Sequence, residues 1–298
     1  MNEGSRNRGA VNNPSPSGLV KRATRRIMRA VVPAVRVLRL SNGSRFFVTQ
    51  DMRWAFPEGR YYEKNVEYWL GWMVDWLSET VVYDVGANIG YYSLTLSDRA
   101  RQIYAFEPSS RTRHWLWLNL RLNRARNVRI FGYALSDTKG RADLNVYSST
   151  GNNSLFVRQV SPKHDLKLLR TEPIRIIDLD RLRREQHLLD PTLIKIDVEG
   201  GELQMLNGAL ETVRKSRPVI MLEYSEATSR DAGYAREELL KPLTPLAYRF
   251  LGLASDPNDL RLHELIHGRA AVDIDNVLAI PENRFVEFEK SIGSLRKI

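Results

Sequence analysis

The stretch that decides the fold is Val81-Val82-Tyr83-Asp84-Val85-Gly86-Ala87-Asn88-Ile89-Gly90-Tyr91-Tyr92-Ser93. It contains an apolar run, an acidic residue near the end of that run, a glycine-spaced loop and the start of a helix. This order is typical of the nucleotide-binding turn of α/β proteins, because glycine lets the backbone approach a ligand where a Cβ atom would clash. The sequence therefore predicts a mostly parallel sheet with helices on both faces.

The spacing within this turn indicates which nucleotide it holds. Dinucleotide sites use G-x-G-x-x-G and place a pyrophosphate at the helix N-terminus, whereas this chain reads D-x-G-x-N-x-G. A carboxylate at the first position would repel a pyrophosphate but suits the ammonium and sulfonium groups of S-adenosylmethionine, so NAD fits less well. We expect the methionine and ribose portions of that cofactor to be held by Asp84, Gly86, Asn88 and Gly90.

A second acidic residue follows the next predicted strand. The apolar run 102–106 ends in Glu107-Pro108, and Glu107 comes 23 residues after Asp84. This is close to the offset of about 20 residues at which a carboxylate binds the ribose hydroxyls in βαβ nucleotide sites. The alternative is a solvated glutamate at a strand end, and the pairing with the glycine turn favours the ribose interpretation.

Further carboxylates follow two later strands. Asp197 and Glu199 follow the apolar run 193–196, and Glu223 ends the run 218–223. Ligands of open α/β sheets bind beyond the carboxyl ends of the strands, so these three residues are the candidate catalytic groups. Asp197 is expected to act as a general base or to anchor the acceptor. A divalent cation such as Mg²⁺, held by Asp197 and Glu223, is the alternative. A purely structural role at a helix N-terminus explains Asp197 poorly.

Several segments together resemble one known family in their order and spacing. They are DVGANIGYYS at 84–93, AFEPSS at 105–110, ALSD at 134–137, IIDLDRL at 176–182, IKIDVEGGELQMLNGA at 194–209 and DNVLAIP at 275–281. This combination resembles the FkbM-type methyltransferases over about residues 60–283. The resemblance implies a Rossmann-like class I fold whose seven-stranded sheet has an antiparallel last strand. It also implies methylation, with S-adenosylmethionine, of hydroxyl groups on sugars, glycans, glycolipids or natural products.

The matching segment ALSD, which ends in Asp137, predicts where the adenine of S-adenosylmethionine lies. Asp137 or its neighbours are expected to approach this part of the cofactor. The resemblance does not identify the acceptor. The sequence also carries no indication of the oligomeric state.

Composition suggests one enzyme-sized domain, residues 41–298, after a basic tail, residues 1–40. The chain of 298 residues contains no cysteine, which excludes disulfides and thiolate metal sites and favours a cytoplasmic setting. No run approaches the roughly 18 apolar residues of a membrane span. The polar and interrupted start of the chain also argues against a signal peptide.

The positive charge is concentrated in the tail. Of the net charge of +10, residues 1–40 carry +8, which leaves +2 for the other 258 residues. A catalytic domain this close to neutral argues against a nucleic-acid acceptor. Residues 1–18 are expected to be disordered. Residues 21–40 are expected to form a basic amphipathic helix, which either contacts the inner face of a membrane or docks on the domain.

Aromatic residues form two groups with different expected roles. Trp69, Trp72 and Trp76 share one face of a predicted helix over residues 66–77 and are expected to be core. A punctuated segment before this helix contains candidate residues for a lid over the acceptor, namely Trp54, Phe56, Tyr61 and Tyr62. Residues 141–147 and 155–160 are expected to form an inserted hairpin.

Two competing functions start from other motifs. His263-Glu264-Leu265-Ile266-His267 is a literal H-E-x-x-H, which on a helix would present two zinc ligands and a general base, as in metallopeptidases. Alternatively, His263 or His267 lines the acceptor pocket, or both are solvated. A nicotinamide-dependent oxidoreductase using the same glycine turn is the other alternative, and Asp84 and Asn88 argue against it.

Overall fold

The computed structural model describes residues 35–57, 61–159, 166–265 and 267–295. The predicted disordered segment and most of the predicted basic helix lie outside these residues. The part of that helix that is described, Arg36–Arg39, is a strand, so the helix prediction is wrong there. It pairs with a second strand, and this tertiary pairing outweighs the local helical spacing.

The central sheet has eight strands. In spatial order they are β12 (Leu262–Glu264), β11 (Tyr248–Ala254), β13 (Ile274–Pro281), β10 (Val219–Glu223), β9 (Leu193–Ile196), β3 (Val81–Val85), β4 (Gln102–Phe106) and β5 (Val128–Phe131). Strands β10, β9, β3, β4 and β5 are parallel, and β13 runs antiparallel to β10. The predicted fold class, with its antiparallel last strand, is confirmed. The eighth strand is the short β12, which pairs with the edge strand β11.

The helices lie on both faces of this sheet. They are α1 (Lys64–Leu77), α2 (Tyr91–Thr95), α3 (Ser110–Asn123), α4 (Leu179–Gln186), α5 (Glu202–Asn207), α6 (Leu210–Ser216), α7 (Glu226–Asp231) and α8 (Glu282–Leu295). The parallel strands read as continuous apolar runs because helices cover both of their faces. Two large hydrophobic cores result, one on each side of the sheet.

The predicted tryptophan stripe belongs to the first core. Trp69 is buried, whereas Trp72 and Trp76 are partly buried and stack on each other with ring centroids 5.6 Å apart. All three rings contact Phe288 of α8. The interpretation of this stripe as core rather than as a sugar-stacking platform is confirmed.

A small three-stranded sheet replaces the predicted hairpin. It contains β6 (Ala134–Ser136), β8 (Leu168–Asp178) and β7 (Gly140–Tyr147), in that order. Strand β7 pairs antiparallel with β8 and not with residues 155–160, so the predicted partner is wrong. Just before that segment, Ser154 forms one isolated bridge with Asn145. Strand β8, with 11 residues, offers more ladder hydrogen bonds than this shorter segment could.

Two further features complete the described fold. The strand pair β1 (Arg36–Arg39) and β2 (Arg45–Val48) packs beside α3, where the Asn123 side chain bonds the Arg45 backbone in both directions. Within the described part of the chain, every helix is too short or too polar to cross a lipid bilayer.

Candidate active site

A cavity of about 310 Å³ opens at the carboxyl ends of the parallel strands. Its walls come from the segments that follow β3, β4, β5, β9 and β10, together with residues preceding α1 and the loop after β7. This is the place where open α/β sheets bind their ligands. Each candidate site residue at these strand ends can therefore be checked for whether it lines this cavity.

Gly86 packs the glycine turn against a neighbouring strand end. Its φ of +81° is left-handed, and a Cβ atom at this position would lie 1.8 Å from the backbone oxygen of Asp197. The Gly86 and Ala87 amides donate to the Phe106 oxygen at 3.1 and 3.0 Å. Glycine is thus required here because two backbone segments of the protein, at Gly86 and Asp197, approach each other closely. This contact holds Asp197 beside the glycine turn.

Asp84 and Gly90 lie behind the cavity surface. Neither is among the residues that line it. Asp84 is buried, with one carboxylate oxygen accepting a 2.6 Å hydrogen bond from Ser93 and the other lacking a partner among the described residues. Burial raises the pKa of Asp84, and the nearby Lys195 opposes the rise. Gly90 has a φ of +90°, and a Cβ atom there would meet Leu116 of α3.

Asn88 and Glu107 are linked at the cavity surface. The Asn88 amide donates to one Glu107 oxygen at 3.0 Å, and the Ser109 amide donates to the other at 2.9 Å. Burial raises the pKa of Glu107 to about 7, although these two hydrogen bonds lower it. Each carboxylate oxygen keeps a further lone pair. Glu107 thus presents two acceptors, as the predicted contact to ribose hydroxyls requires.

Asp137 does not line the cavity, which corrects its expected place. It is exposed, and its recorded side-chain contact is a 3.3 Å hydrogen bond from Ser136. The chain turns away because β6 joins the small sheet at Ala134, so the residues that reach the cavity are the earlier ones, Tyr133, Ala134 and Leu135. The expectation that residues near Asp137 approach the adenine therefore stays a prediction for these neighbours and not for Asp137 itself.

The three predicted catalytic carboxylates meet in the cavity. Asp197, Glu199 and Glu223 each offer one oxygen such that these oxygens lie within 4.8 Å of one another. Burial and then the Asp197 charge raise the pKa of Glu199 to about 8. Burial and the Glu199 charge also hold the pKa of Glu223 well above its usual range. The buried Oε2 of Glu223 accepts no hydrogen bond from a described residue.

Glu202 has a structural role in the same turn. Its carboxylate accepts hydrogen bonds from the amides of Val198 and Gly200 and from the hydroxyl of Tyr234. These bonds close the turn between β9 and α5, where Glu199 has a left-handed φ of +58°. Glu202 is therefore a structural residue at the start of α5, whereas Glu199 lines the cavity.

Lys195 supplies a buried positive charge that the sequence analysis did not assign to the site. Its ammonium group donates to Asp197 at 2.8 Å and lies 4.8 Å from the centre of the Tyr92 ring. Burial alone would lower the pKa of Lys195, but the carboxylates of Asp197, Asp84 and Glu63 outweigh burial and raise it. The one available signal was a lysine between isoleucines in a buried strand.

Glu63 and its aromatic neighbours form a further part of the cavity wall, close to Lys195. The Tyr92 hydroxyl donates to Glu63 at 2.9 Å, and burial and the Asp197 charge raise the pKa of Glu63. Tyr61 and Tyr62 line the cavity, and Tyr61 stacks on Tyr91 at 3.9 Å.

The predicted aromatic lid agrees with the structure only in part. Tyr61 and Tyr62 face the cavity, whereas Phe56 is buried in the first core between Phe46 and Tyr91. Phe56 is therefore a packing residue and not a lid residue. The side chain of Trp54 lies outside the described part of the chain.

A loop from the small sheet covers the carboxylate cluster. Ser154 donates to the backbone oxygen of Glu199 at 2.7 Å, and the Arg158 guanidinium binds both Glu199 and Asp231. Thr150 and Leu155 of this loop line the cavity. The small sheet thus contributes one wall of the site, opposite the glycine turn.

The H-E-x-x-H segment is not a helix, so the zinc-site hypothesis is wrong. Residues 262–264 form strand β12, and His267 has a left-handed φ of +50°. In a strand, successive side chains point to opposite faces, and the i, i+4 geometry of a zincin helix is lost. His263 contacts Asp259 at 3.2 Å, and neither His263 nor His267 lines the cavity.

The strand order and the cleft at the strand ends are those of the class I methyltransferase fold. The Methyltransferase FkbM domain matches residues 84–253, and the chain belongs to this family.

Several known proteins are similar to the chain over part of its length. It is 27% identical over 154 residues to the hexuronic acid methyltransferase AglP of Haloferax volcanii, covering 51% of the chain and 59% of AglP. It is 30% identical over 191 residues to the AMB antimetabolite synthetase AmbE of Pseudomonas aeruginosa, covering 53% of the chain and 9% of AmbE. The chain therefore spans less than two thirds of these relatives. A crystal structure of the methyltransferase FkbM from Methylobacillus flagellatus KT is 20% identical with a TM-score of 0.43, covering 68% of the chain and 44% of that protein.

Proposed function

We propose that this protein transfers the methyl group of S-adenosylmethionine to a hydroxyl oxygen of a sugar, glycan, glycolipid or related natural product. The observation that carries the proposal is the single cavity that joins Glu107, on the predicted nucleoside side, to the carboxylate cluster of Asp197, Glu199 and Glu223. The family membership supports the cofactor, and the hexuronic acid relative supports a sugar-like acceptor.

The reaction needs one displacement and one proton transfer. The bond between the methyl carbon and the sulfonium sulfur breaks, its electron pair stays on sulfur, and the acceptor oxygen forms the new bond. The hydroxyl proton passes to a carboxylate of the cluster, for which Asp197 is our candidate. The remaining contribution of the protein is to hold the oxygen close to and in line with the methyl group.

A divalent cation is the alternative to direct proton transfer. Carboxylate oxygens are the ligands that Mg²⁺ prefers, and Asp197, Glu199 and Glu223 have the required proximity. Bound there, a cation would lower the pKa of the acceptor hydroxyl and leave the positioning to the protein. Lys195 already neutralises part of the cluster through Asp197, which favours the metal-free route.

The charge of the cavity also restricts the acceptor. Lys195 is the basic residue among the described lining residues, whereas the acidic ones are Glu63, Glu107, Asp197, Glu199, Glu223 and Asp275. A second carboxylate brought by the substrate would be repelled in this partly buried setting. We therefore expect a neutral or amine-bearing acceptor rather than a hexuronate. The same charge disfavours the pyrophosphate of a nicotinamide cofactor.

The first test is a calorimetric titration of metal-stripped protein with S-adenosylhomocysteine, the demethylated product of the cofactor. We expect one-to-one binding in the micromolar range, because the cavity offers Glu107 and the Asn88 segment as a preformed nucleoside site. NADH is the comparison ligand. Folded protein that binds NADH and not S-adenosylhomocysteine would overturn the proposed function and revive the oxidoreductase alternative.

Glu107→Gln is expected to weaken S-adenosylhomocysteine binding by about 10- to 100-fold, because hydrogen bonds to a charged group contribute about 1.5–3 kcal/mol. The pH dependence gives a second readout. The ribose hydroxyls need the ionised form of Glu107, and its pKa of about 7 means that this form dominates only above neutrality. Affinity should therefore rise about tenfold from pH 6 to pH 8 in the wild type, and this rise should be lost in the variant.

Glu172→Gln is the matched control for this variant. Glu172 accepts from the Ser109 hydroxyl at 3.0 Å and from the Ser110 amide at 2.7 Å, so it supports the same loop without lining the cavity. Calorimetry should give this control nearly wild-type affinity at pH 8, and the rise of affinity with pH should persist at a somewhat lower pH because the Glu172 charge helps to raise the pKa of Glu107. Equal weakening in both variants would show that Glu107 acts by holding the loop and not by contacting ribose.

A further inference from the structure

A group of seven exposed arginines lies on two elements that pack together. We name it the arginine face, and it consists of Arg36, Arg39 and Arg45 on the β1–β2 pair and Arg111, Arg121, Arg124 and Arg126 on or just after α3. The two parts are in contact, because the Asn123 side chain bonds the Arg45 backbone and the Asn119 side chain accepts from the Phe47 amide at 2.7 Å.

No ion pair within the described structure compensates the charge of the arginine face, although Glu67 and Glu172 border it through Ser41 and Ser110. Residues 35–50 and 108–136 contain no aspartate or glutamate. Among the described residues, none of the seven arginines has an acidic side chain within ion-pair distance. The near-neutral total of residues 41–298 therefore hides a strong separation of charge. This unpaired cluster is suited to an anionic partner.

Apolar side chains are exposed among these charges. Trp117 is 46% exposed on the outer face of α3, between His114, which stacks on it, and Arg121, whose guanidinium lies 5.4 Å from the ring centre. Val37 of β1 is 55% exposed. Tryptophan and arginine side chains with apolar bodies and polar ends are favoured at the boundary between lipid and water.

We propose that the arginine face docks the protein on an anionic lipid surface. Charge complementarity supplies the attraction, and Trp117 and Val37 provide the shallow apolar contact that a nucleic-acid backbone would not use. The sequence leading into β1 is also basic, because it contains Lys21, Arg22, Arg25, Arg26 and Arg29. A polybasic segment and a basic folded face together meet the need for more than one anchoring signal.

The test measures binding of the full chain to vesicles. Sedimentation with vesicles of phosphatidylglycerol and phosphatidylcholine is compared with pure phosphatidylcholine at the same ionic strength. We expect binding to the anionic vesicles only. Neutralising two residues in Arg121→Gln/Arg126→Gln should weaken that binding about 30-fold, because each basic side chain near such a surface contributes about fivefold. In a separate variant, Trp117→Ala should also weaken binding to the anionic vesicles, and the salt dependence of that binding should stay as in the wild type.

Arg141→Gln/Arg214→Gln is the control with the same charge change. Both arginines are exposed on other parts of the structure, in β7 and α6. This control variant should bind the anionic vesicles within about twofold of the wild type. Circular dichroism and urea unfolding confirm that all variants are folded. Wild-type binding by the Arg121/Arg126 variant, or equal loss in the control, overturns the proposal. So does tighter binding of a DNA or RNA duplex than of the vesicles at the same salt concentration.

Discussion

Asp197→Asn is expected to lower the rate of methyl transfer by about 10²- to 10⁴-fold, which is the usual contribution of a positioned base. Asparagine keeps the size of the side chain but cannot accept the hydroxyl proton. The neighbouring Lys195 retains the Asp84 and Glu63 carboxylates as counter-charges, so the site should stay folded. The measurement is single-turnover transfer of a labelled methyl group, with S-adenosylhomocysteine binding measured in parallel. Binding should change by no more than a few fold.

Asp137→Asn is the matched control for this prediction. It makes the same chemical change at an exposed aspartate that does not line the cavity, and wild-type kinetics are expected. Undiminished turnover in the Asp197 variant would remove Asp197 from the catalytic role. Loss of cofactor binding in parallel with turnover would reassign it to the cofactor site.

The same assay separates the base from the metal alternative. If the cluster of Asp197, Glu199 and Glu223 holds Mg²⁺, treating the wild type with a chelator should lower its rate to that of the variant, and adding Mg²⁺ should restore it. If Asp197 acts directly, neither treatment changes the rate. We expect the second outcome because Lys195 already occupies one oxygen of Asp197.

Gly86→Ala is expected to lower the free energy of unfolding by about 2–5 kcal/mol. A left-handed conformation costs an L-residue about 1–2 kcal/mol, and forcing an extra methyl group into a packed site adds about 1–3 kcal/mol. The new Cβ atom would lie 1.8 Å from the Asp197 oxygen, so strand β9 or the turn must move. Urea-induced unfolding, followed by circular dichroism, measures the change.

Gly43→Ala measures the conformational part of this effect alone, so its comparison with Gly86→Ala isolates the steric part. Gly43 has almost the same φ, +82°, but nothing lies within 4 Å of the Cβ atom that alanine would introduce. Only the conformational cost of about 1–2 kcal/mol is expected there. If the two variants lose equal stability, the contact between the glycine turn and Asp197 is looser than the structure indicates.

Much of the fold followed from short sequence patterns. The glycine turn and the apolar runs of β3, β4, β9 and β10 predicted the sheet, because buried parallel strands read as continuous apolar segments. The small sheet could not be predicted in the same way. Strand β7 pairs with β8 across the 20 residues between the two strands, and local sequence favoured the nearer segment 155–160.

The site was predictable where it follows strand ends and not where it depends on packing between elements. Asp197, Glu199 and Glu223 meet because the carboxyl ends of parallel strands share one edge. Glu63 belongs to a segment before α1, and only tertiary packing brings it to Lys195. The glycine turn was interpreted as a ligand contact. Gly90 serves packing within the protein, whereas Gly86 packs on the Asp197 backbone and also lines the cavity.

The acid-rich lining has a consequence for product release. In the proposed reaction the bound cofactor enters with a positive sulfonium group and leaves as a neutral thioether. The carboxylates that surround Lys195 attract the first form and lose that attraction at the moment of transfer. The enzyme should therefore release its spent cofactor more readily than the unreacted one, a property set by the charge of the whole cavity wall, Asp197 included.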